Sequence, residues 1–287
     1  MSNALEVSHL CKTYGDFHLD NVAFTLPTGY IMGFVGQNGA GKTTTIRLIL
    51  NMAQREAGEI SVFGLDSVVH ELAVKQQIAV VFDEIFFVDS WRVRQVEQAV
   101  RGFYADWDHD MFTTCLQDFG LAENKRVREL SRGMKMKLML AVAMSHGAKL
   151  LILDEPTSGL DPVARDELLD ILRAYIADGD KSVFFSTHIT SDLERIADYI
   201  TLIDAGRIFY TGTKDGLLDH FVIVKGSTAA LTGDLRRAII GLTTSSTGFT
   251  GMVRAADLDG LPPGLVTEAP TIDEILIHIS KEGGHHE

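Results

Sequence analysis

The sequence of 287 residues contains no apolar run that approaches the roughly 18 to 20 residues needed to cross a bilayer. Its first residues, Met1-Ser2-Asn3-Ala4-Leu5-Glu6, lack the basic and then apolar segments of a signal peptide. Only two cysteines are present, Cys11 and Cys115, and they form no metal-binding spacing. We therefore expect a cytosolic chain with free thiols that cannot form a channel by itself.

The sequence also has fewer basic than acidic residues. The chain has 26 Lys and Arg residues against 39 Asp and Glu residues, which gives a formal net charge of −13 at pH 7. Such a surface repels polyanions, so we expect neither nucleic acid nor anionic lipid to be the main partner. No internal repeat or low-complexity tract is evident, and the length allows one large domain or a domain with an appendage.

A glycine-rich segment lies between an apolar run, residues 31–35, and an apolar-periodic helix that begins at about Thr44. Its glycines let successive backbone N–H groups converge on phosphate oxygens, and the helix N-terminus adds a favourable partial charge. Lys42 supplies a point charge for the β- and γ-phosphates. A chance glycine-rich turn is disfavoured because strand, loop and helix occur together. The predicted phosphate-binding residues are Gly36, Gln37, Asn38, Gly39, Ala40, Gly41, Lys42, Thr43 and Thr44.

A second apolar run, residues 150–153, ends in the carboxylates of Asp154 and Glu155. Two acidic residues after a strand are a weak signal alone, but paired with a phosphate-binding loop they indicate a magnesium nucleotide site. The Thr43 hydroxyl and the Asp154 carboxylate are the predicted Mg²⁺ ligands. Glu155 is then the leading candidate for the general base.

The remaining pattern predicts an α/β fold, because buried-type strands alternate with helices. Residues 4–26 suit antiparallel strands, and helices dominate a long segment from about 84 to 147, which we interpret as an inserted helical subdomain. A capping box, Thr271-x-x-Glu274, predicts a final helix. The strands expected of the parallel sheet are 78–82, 150–154 and 182–187, and the expected helices are 92–104, 109–119, 135–145 and 162–177.

Three further motifs give the sequence a family resemblance: Leu130-Ser131-Arg132-Gly133-Met134, Asp154-Glu155-Pro156-Thr157-Ser158-Gly159-Leu160-Asp161 and Ser186-Thr187-His188. They resemble the signature motif, the Walker B strand with its D-loop, and the switch histidine of an ATP-binding cassette (ABC) ATPase. The resemblance covers about residues 4–215. It implies a P-loop ATPase core with an antiparallel β subdomain and an inserted helical subdomain in residues 1–219, and a small α/β accessory module in residues 220–287.

In this family the nucleotide lies between the Walker motifs of one subunit and the signature motif of another. The resemblance therefore implies ATP and Mg²⁺ as cofactors and a second copy of the chain as a partner. Ser131 and Gly133 would present donors at a helix start to the γ-phosphate, although Arg132 and Met134 depart from the commonest signature, Leu-Ser-Gly-Gly-Gln.

Three other residues receive roles from the resemblance. His188 would hydrogen-bond the γ-phosphate, whereas a lone histidine there would more often be structural. Asp161 is either a helix N-cap or a contact between subunits, and both roles can hold. Tyr14 would stack on adenine, and because stacking does not distinguish adenine from guanine well, the ATP preference depends on the resemblance.

Asp83 is a departure from the family pattern, since a glutamine usually follows this strand. An aspartate there can ligate Mg²⁺ through water, so we include Asp83 among the catalytic and metal-binding candidates. It cannot donate a hydrogen bond when ionised. The apolar residues that follow it are expected either to dock a membrane subunit or to pack the helical subdomain: Ile85, Phe86, Phe87 and Trp91.

The branch of the family is indicated by residues 103–108, 131–138 and 186–194, which are similar to ATPases of phenol-soluble-modulin type peptide exporters and their antimicrobial-peptide relatives. This implies a subunit that hydrolyses ATP at the cytoplasmic face of the membrane and powers peptide export by a separate transmembrane subunit. The alternative is a soluble ABC-type ATPase that acts as a clamp or assembly scaffold. A neighbouring gene with about six apolar spans would favour transport.

Overall fold

The computed structural model describes residues 2–82, 86–260, 262 and 264–283. Fourteen strands and ten α-helices occur in these residues. The strands are β1 Asn3–Tyr14, β2 Phe17–Pro27, β3 Ile31–Val35, β4 Ala57–Val62, β5 Leu65–Asp66, β6 Ile78–Val81, β7 Leu150–Asp154, β8 Ser182–Thr187, β9 Tyr199–Asp204, β10 Arg207–Thr213, β11 Phe221–Gly226, β12 Ile240–Thr244, β13 Phe249–Arg254 and β14 Val266–Glu268. The helices are α1 Lys42–Ile49, α2 Glu71–Gln77, α3 Val93–Val100, α4 His109–Asp118, α5 Arg132–Ser145, α6 Pro162–Tyr175, α7 Thr190–Ile196, α8 Lys214–His220, α9 Gly233–Ala238 and α10 Ile272–Gly283.

A six-stranded sheet in the order β10-β9-β3-β8-β7-β6 forms the centre of the molecule. All its neighbouring strands are parallel except β10, which pairs with β9 in the antiparallel sense. Strands β3, β7 and β8 are buried along their whole length, as expected for a sheet covered on both faces. Their carboxyl ends lie at one edge of the sheet, which brings the loops after β3, β7 and β8 together.

The β subdomain is a four-stranded sheet in the order β2-β1-β4-β5, and its strand pairs are antiparallel. It packs on one face of the central sheet through three phenylalanines. The ring centroids of Phe24, Phe34 and Phe184 lie 5.3 to 5.5 Å apart. Helix α1 buries Ile46, Leu48 and Ile49 in the same cluster, so the strand that precedes the glycine-rich loop and the helix that follows it have a fixed mutual position.

The inserted helical subdomain consists of α3, α4 and α5 around a core of its own that includes Val96, Phe112 and Leu138. Two of the four expected helices differ from the observed ones by three residues or more at one end. The helix expected at 92–104 ends at Val100 and continues as a 3₁₀ turn at Arg101–Phe103, where Gly102 weakens helical propensity. The helix expected from 135 begins at Arg132, because Ser131 caps it.

Residues 221–283 form a second antiparallel sheet, in the order β12-β13-β11-β14, with α10 packed against it. The predicted capping box is confirmed. The Thr271 backbone N–H donates to Glu274 Oε2 at 2.9 Å, and the Glu274 N–H donates to Thr271 Oγ1 at 3.2 Å. Met252, Ile272 and Ile275 of this module belong to the same buried cluster as Leu193 of α7. The module therefore shares a hydrophobic core with the central sheet.

In the part of the chain that the structure describes, no helix has both the length and the apolar character required to pass through a membrane.

The hydrophobic core that the C-terminal module shares with the central sheet leads to a prediction about stability. Ile275 and Ile277 both lie on α10, but Ile275 is completely buried whereas Ile277 is 43% exposed. Ile275→Ala should lower the free energy of unfolding by about 2 to 5 kcal/mol in a single cooperative transition, because a cavity opens in the core. Ile277→Ala, the control, should change it by less than about 1 kcal/mol. Differential scanning calorimetry would contradict the shared core if the Ile275 variant melted in two separate steps.

Candidate nucleotide site

The glycine-rich loop joins β3 to α1 and wraps around its own lysine. Lys42 is buried, and its Nζ donates to the backbone oxygens of Gly36 at 2.7 Å and Gln37 at 3.2 Å. Gly39 has φ 83° and Gly41 has φ 116°, backbone conformations that favour glycine. A Cβ at position 36 would lie 2.3 Å from the Ile203 carbonyl oxygen. The loop therefore needs these glycines in order to keep its N–H groups and the lysine ammonium on the open side of the sheet.

Two of the three predicted magnesium ligands, Thr43 and Asp154, contact each other directly. Thr43 Oγ1 donates to Asp154 Oδ2 at 3.1 Å, and the other carboxylate oxygen accepts a short hydrogen bond from Ser186 Oγ on β8. The structure describes no cluster of three or more His, Cys, Asp or Glu side chains that could enclose a metal. Mg²⁺ requires only one or two protein oxygens, since phosphate and water complete its coordination. The pair Thr43 and Asp154 fits a magnesium ion on that pattern.

Glu155 lies between Lys42 and His188. Its Oε1 is 3.4 Å from Lys42 Nζ, and its Oε2 accepts from Nδ1 of His188 at 2.8 Å. The His188 backbone N–H also points to Oε2, at 3.3 Å. Glu155 has φ 51°, a left-handed conformation that is costly for a residue with a Cβ. Such strain concentrates at functional sites, and here it turns the carboxylate away from the axis of β7 toward the loop.

A pocket of about 410 Å³ opens over the loop and contains Glu155 in its wall. The aromatic residue that lines it is Phe17, at the start of β2. Tyr14, for which adenine stacking was expected, pairs with Phe17 across the hairpin and is 50% exposed. Its ring lies under the Lys12 ammonium, 5.1 Å from the centroid. Tyr14 does not appear among the described residues that line this pocket, so its role in stacking stays a prediction, whereas Phe17 lies in the pocket wall.

The geometry agrees with comparisons to known proteins. The ABC transporter family model matches residues 19–158. The Nod factor export ATP-binding protein I of Rhizobium meliloti (strain 1021) is 37% identical over 226 residues, which cover 76% of this chain and 66% of that relative. The daunorubicin resistance ATP-binding protein DrrA3 of Streptomyces coeruleorubidus is 30% identical over 303 residues and covers 96% of each chain. The chain belongs to the ABC transporter family.

A solved structure supports the same assignment. The ATP-binding subunit of an ABC transporter matches this ABC ATPase with a TM-score of 0.68 and 28% identity, over 75% of this chain and 91% of that one. The predicted family, the α/β P-loop fold with its subdomains, and the ATPase activity are thereby confirmed.

The signature residues of this ABC ATPase lie at the N-terminus of α5. Ser131 Oγ caps the helix by accepting from the Met134 N–H at 3.2 Å, and a Cβ on Gly133 would lie 3.1 Å from the Ala164 Cβ on α6. Asp161 caps α6 by accepting from the N–H groups of Val163 and Ala164, each at 3.0 Å. Among the described residues that line the nucleotide pocket, Ser131, Gly133 and Asp161 do not appear.

Asp83, expected to act in catalysis and metal binding, lies outside the described residues. Two residues of the site were missed by sequence reasoning, Phe17 and the strand residue Ser186. Ser186 carried a usable signal, since it is a polar residue directly after the apolar run Val183-Phe184-Phe185 of a buried strand, but its pairing with Asp154 appears only in the structure. Phe17 carried no such sequence signal, because its position over the loop depends on how the β1–β2 hairpin packs.

The contacts of Glu155 predict the effect of removing its charge. Glu155→Gln should lower kcat by about 10² to 10⁴, because the amide keeps the shape of the side chain and cannot act as a base. ATP should still bind, since the loop and Lys42 are unchanged. Glu167→Gln is the matched control, as Glu167 pairs with Lys137 on the surface at 2.6 Å. Steady-state hydrolysis and nucleotide-binding titrations measure both effects, and near-normal hydrolysis by the Glu155 variant would exclude it as the base.

Proposed function

We propose that this ABC ATPase powers the export of peptides through a separate membrane subunit, to which it binds at the cytoplasmic face of the membrane. The observation that carries the hydrolytic part of the proposal is the arrangement of Lys42, Glu155 and His188 beside a glycine-rich loop, with contacts of 2.8 and 3.4 Å to Glu155. This arrangement places a base, a cation and a hydrogen-bond donor where a terminal phosphate would lie.

Each residue has a distinct task in the proposed hydrolysis. Glu155 would accept a proton from the attacking water, and His188, when both ring nitrogens are protonated, would donate through Nδ1 to the Glu155 carboxylate and through Nε2 to the phosphate. Lys42 is paired with Glu155 at 3.4 Å, so an arriving phosphate would compete for the lysine charge and free the carboxylate. Thr43 and Asp154 would hold the magnesium ion, which when bound neutralises charge on the phosphate oxygens.

A homodimer would complete the site. Ser131 and Asp161 are caps at the starts of α5 and α6, and both side chains are accessible. Helix N-termini attract phosphate, and Ser131 lies outside the pocket of its own chain. A second copy arranged by two-fold symmetry would present its Ser131 and Gly133 to the phosphate held by the first.

Export as the direction of transport is supported by the names of the relatives. One relative is a Nod factor export protein and another is a daunorubicin resistance protein. Their cargoes differ, so the peptide class depends on the resemblance of residues 103–108, 131–138 and 186–194 to peptide exporters.

A docking site for the membrane subunit is supported at Phe86. Its side chain is 74% exposed, and its ring makes a T-shaped contact with Phe82 at 5.6 Å. Phe87 and Trp91 pack against the core of the helical subdomain instead. The two expected roles of this segment, docking and packing, are thus supported at different residues. Phe86 is available to a partner, whereas Phe87 packs in the helical subdomain. Ile85 lies outside the described residues.

The composite site can be tested by mixing variants. A Lys42→Ala chain and a Ser131→Arg chain should each be inactive alone, because every homodimer lacks one half of both sites. Their mixture should regain part of the ATPase activity, since one site of the heterodimer is intact. A mixture of Lys42→Ala and Glu155→Gln chains is the control and should stay inactive, because both defects lie on the same half. Full activity of the Ser131→Arg homodimer would show that the phosphate is not contacted by the opposite subunit.

Docking can be tested by changing two adjacent aromatic residues. Phe86→Ser should weaken copurification with the coexpressed membrane subunit and should leave the melting temperature nearly unchanged, since the side chain is exposed. Phe87→Ser should lower the melting temperature by several degrees, because a partly buried ring is lost from the core of the subdomain. Undiminished copurification of the Phe86 variant would place the docking site elsewhere. If no membrane subunit binds the unmodified chain, the clamp or scaffold alternative is favoured.

A further inference from the structure

Asp192 is a buried carboxylate close to the catalytic residues. It lies on α7, which begins two positions after His188, and it is 1% exposed. Its Oδ2 accepts a 2.6 Å hydrogen bond from Thr157 Oγ1, and Thr157 is completely buried two positions after Glu155. A single hydrogen bond therefore joins the helix that follows the switch histidine to the turn that carries the base.

The second oxygen of Asp192 faces another element. Oδ1 lies 4.0 Å from Nε of Arg165, which is on the first turn of α6. The Arg165 backbone N–H donates to the Asp161 carbonyl at 3.0 Å, so Arg165 moves with the D-loop residue Asp161. Asp192 thus lies where the turn after β7, the start of α6 and the start of α7 meet.

The contact between Arg165 and Asp192 is incomplete. Arg165 Nε is buried and has no hydrogen-bond partner in the described part of the chain, a condition that is unfavourable for a buried donor. Since N–H···O bonds form at about 2.7 to 3.2 Å, a shift of about 1 Å would complete this one. The arrangement of the two atoms is therefore open, and a small displacement would close it.

A purely structural contact at this place would not require a buried carboxylate that faces an arginine. Burying a carboxylate is costly, and an apolar pair of similar shape is often as stable or more stable. Burial raises the pKa of Asp192, whereas the Thr157 hydrogen bond and the Arg165 charge lower it; the charge of Glu155 also raises it and that of His188 lowers it. The carboxylate therefore interacts electrostatically with both catalytic residues while it contacts Thr157 and faces Arg165.

We propose that Asp192 is a positioning residue that keeps Glu155 and His188 in a fixed mutual position, and that Arg165 completes its hydrogen bond to Asp192 when α6 moves in the ATP-bound dimer. This inference rests on the proposed hydrolysis of ATP by a homodimer. The contact between Arg165 and Asp192 would connect the D-loop, which faces the second subunit in that dimer, to Glu155 and His188 within one chain. Closure of the dimer would then be transmitted to the catalytic groups through one buried carboxylate.

The first test removes the hydroxyl of Thr157. Thr157→Val keeps the shape of the side chain and should lower kcat about 10-fold, because a hydrogen bond to a charged group is lost. The KM for ATP should stay within about twofold, since binding through the loop is unchanged. Thr157→Ser restores a hydroxyl and should restore most of kcat.

A matched control separates this role from stability. Thr201 is a buried threonine on β9 whose Oγ1 lies 2.9 Å from Thr211 Oγ1. Thr201→Val should lower the melting temperature by an amount similar to that of Thr157→Val and leave kcat unchanged. If both variants have the same kcat, the Thr157 contact is structural and the inference is wrong.

The second test addresses Arg165 and does not depend on folding of the Thr157 variant. Asp192→Asn keeps an acceptor for Thr157 and loses the charge that faces Arg165. In the Glu155→Gln background, Asp192→Asn and Arg165→Gln should each weaken ATP-dependent dimerisation in size-exclusion chromatography, and the double variant should be no weaker than either. Additive losses, or no loss, would overturn the inference. Absence of ATP hydrolysis by the unmodified chain would instead refute the proposed function, and the inference with it.

Discussion

The rest of the site depends on the neutralisation of one buried cation, the ammonium group of Lys42. A buried charge is stable only when it is paired and hydrogen-bonded. Lys42 meets this condition through the backbone oxygens of Gly36 and Gln37 and through the Glu155 carboxylate at 3.4 Å. Phosphate oxygens would compete with these backbone and carboxylate oxygens for contact with the ammonium group. Arrival of a nucleotide would therefore exchange one set of oxygen partners for another, and Glu155 is the partner that this exchange releases.

This arrangement requires the strand order and register of the central sheet. Strand β8 lies between β3 and β7, with Val35 opposite Thr187 and Asp154 opposite Ser186. Because side chains alternate along a strand, a slip of one residue would turn Ser186 away from Asp154. The same register brings His188, one residue past the end of β8, to the carboxylate of Glu155, one residue past the end of β7. The three loops thus converge because the strands that precede them end at the same level.

Much of this could be predicted from the sequence where local pattern determines structure. Strands β7 and β8 were predicted with their observed ends, because a fully buried strand is a continuous apolar run between polar turns. The loop glycines and the capping box of α10 are equally local features. The position of Phe17, the contact between Asp192 and Thr157, and the burial of Ile275 could not be predicted, since each joins segments whose proximity depends on packing. Asp192 in particular resembles an ordinary polar residue on a helix until its 2.6 Å contact with Thr157 is seen.

Helix α7 shows how the site is connected to the rest of the molecule. One side of it contacts the turn after β7 through Asp192 and Thr157. It also packs with α10, since Leu193 and Ile196 share a core with Ile272 and Ile275, and Thr190 Oγ1 lies 3.5 Å from Asp273 Oδ1. Protein interiors are close-packed, so a displacement of α7 must be accommodated by both neighbours. The C-terminal module consequently supports the helix that follows His188, the residue whose Nδ1 lies 2.8 Å from Glu155 Oε2.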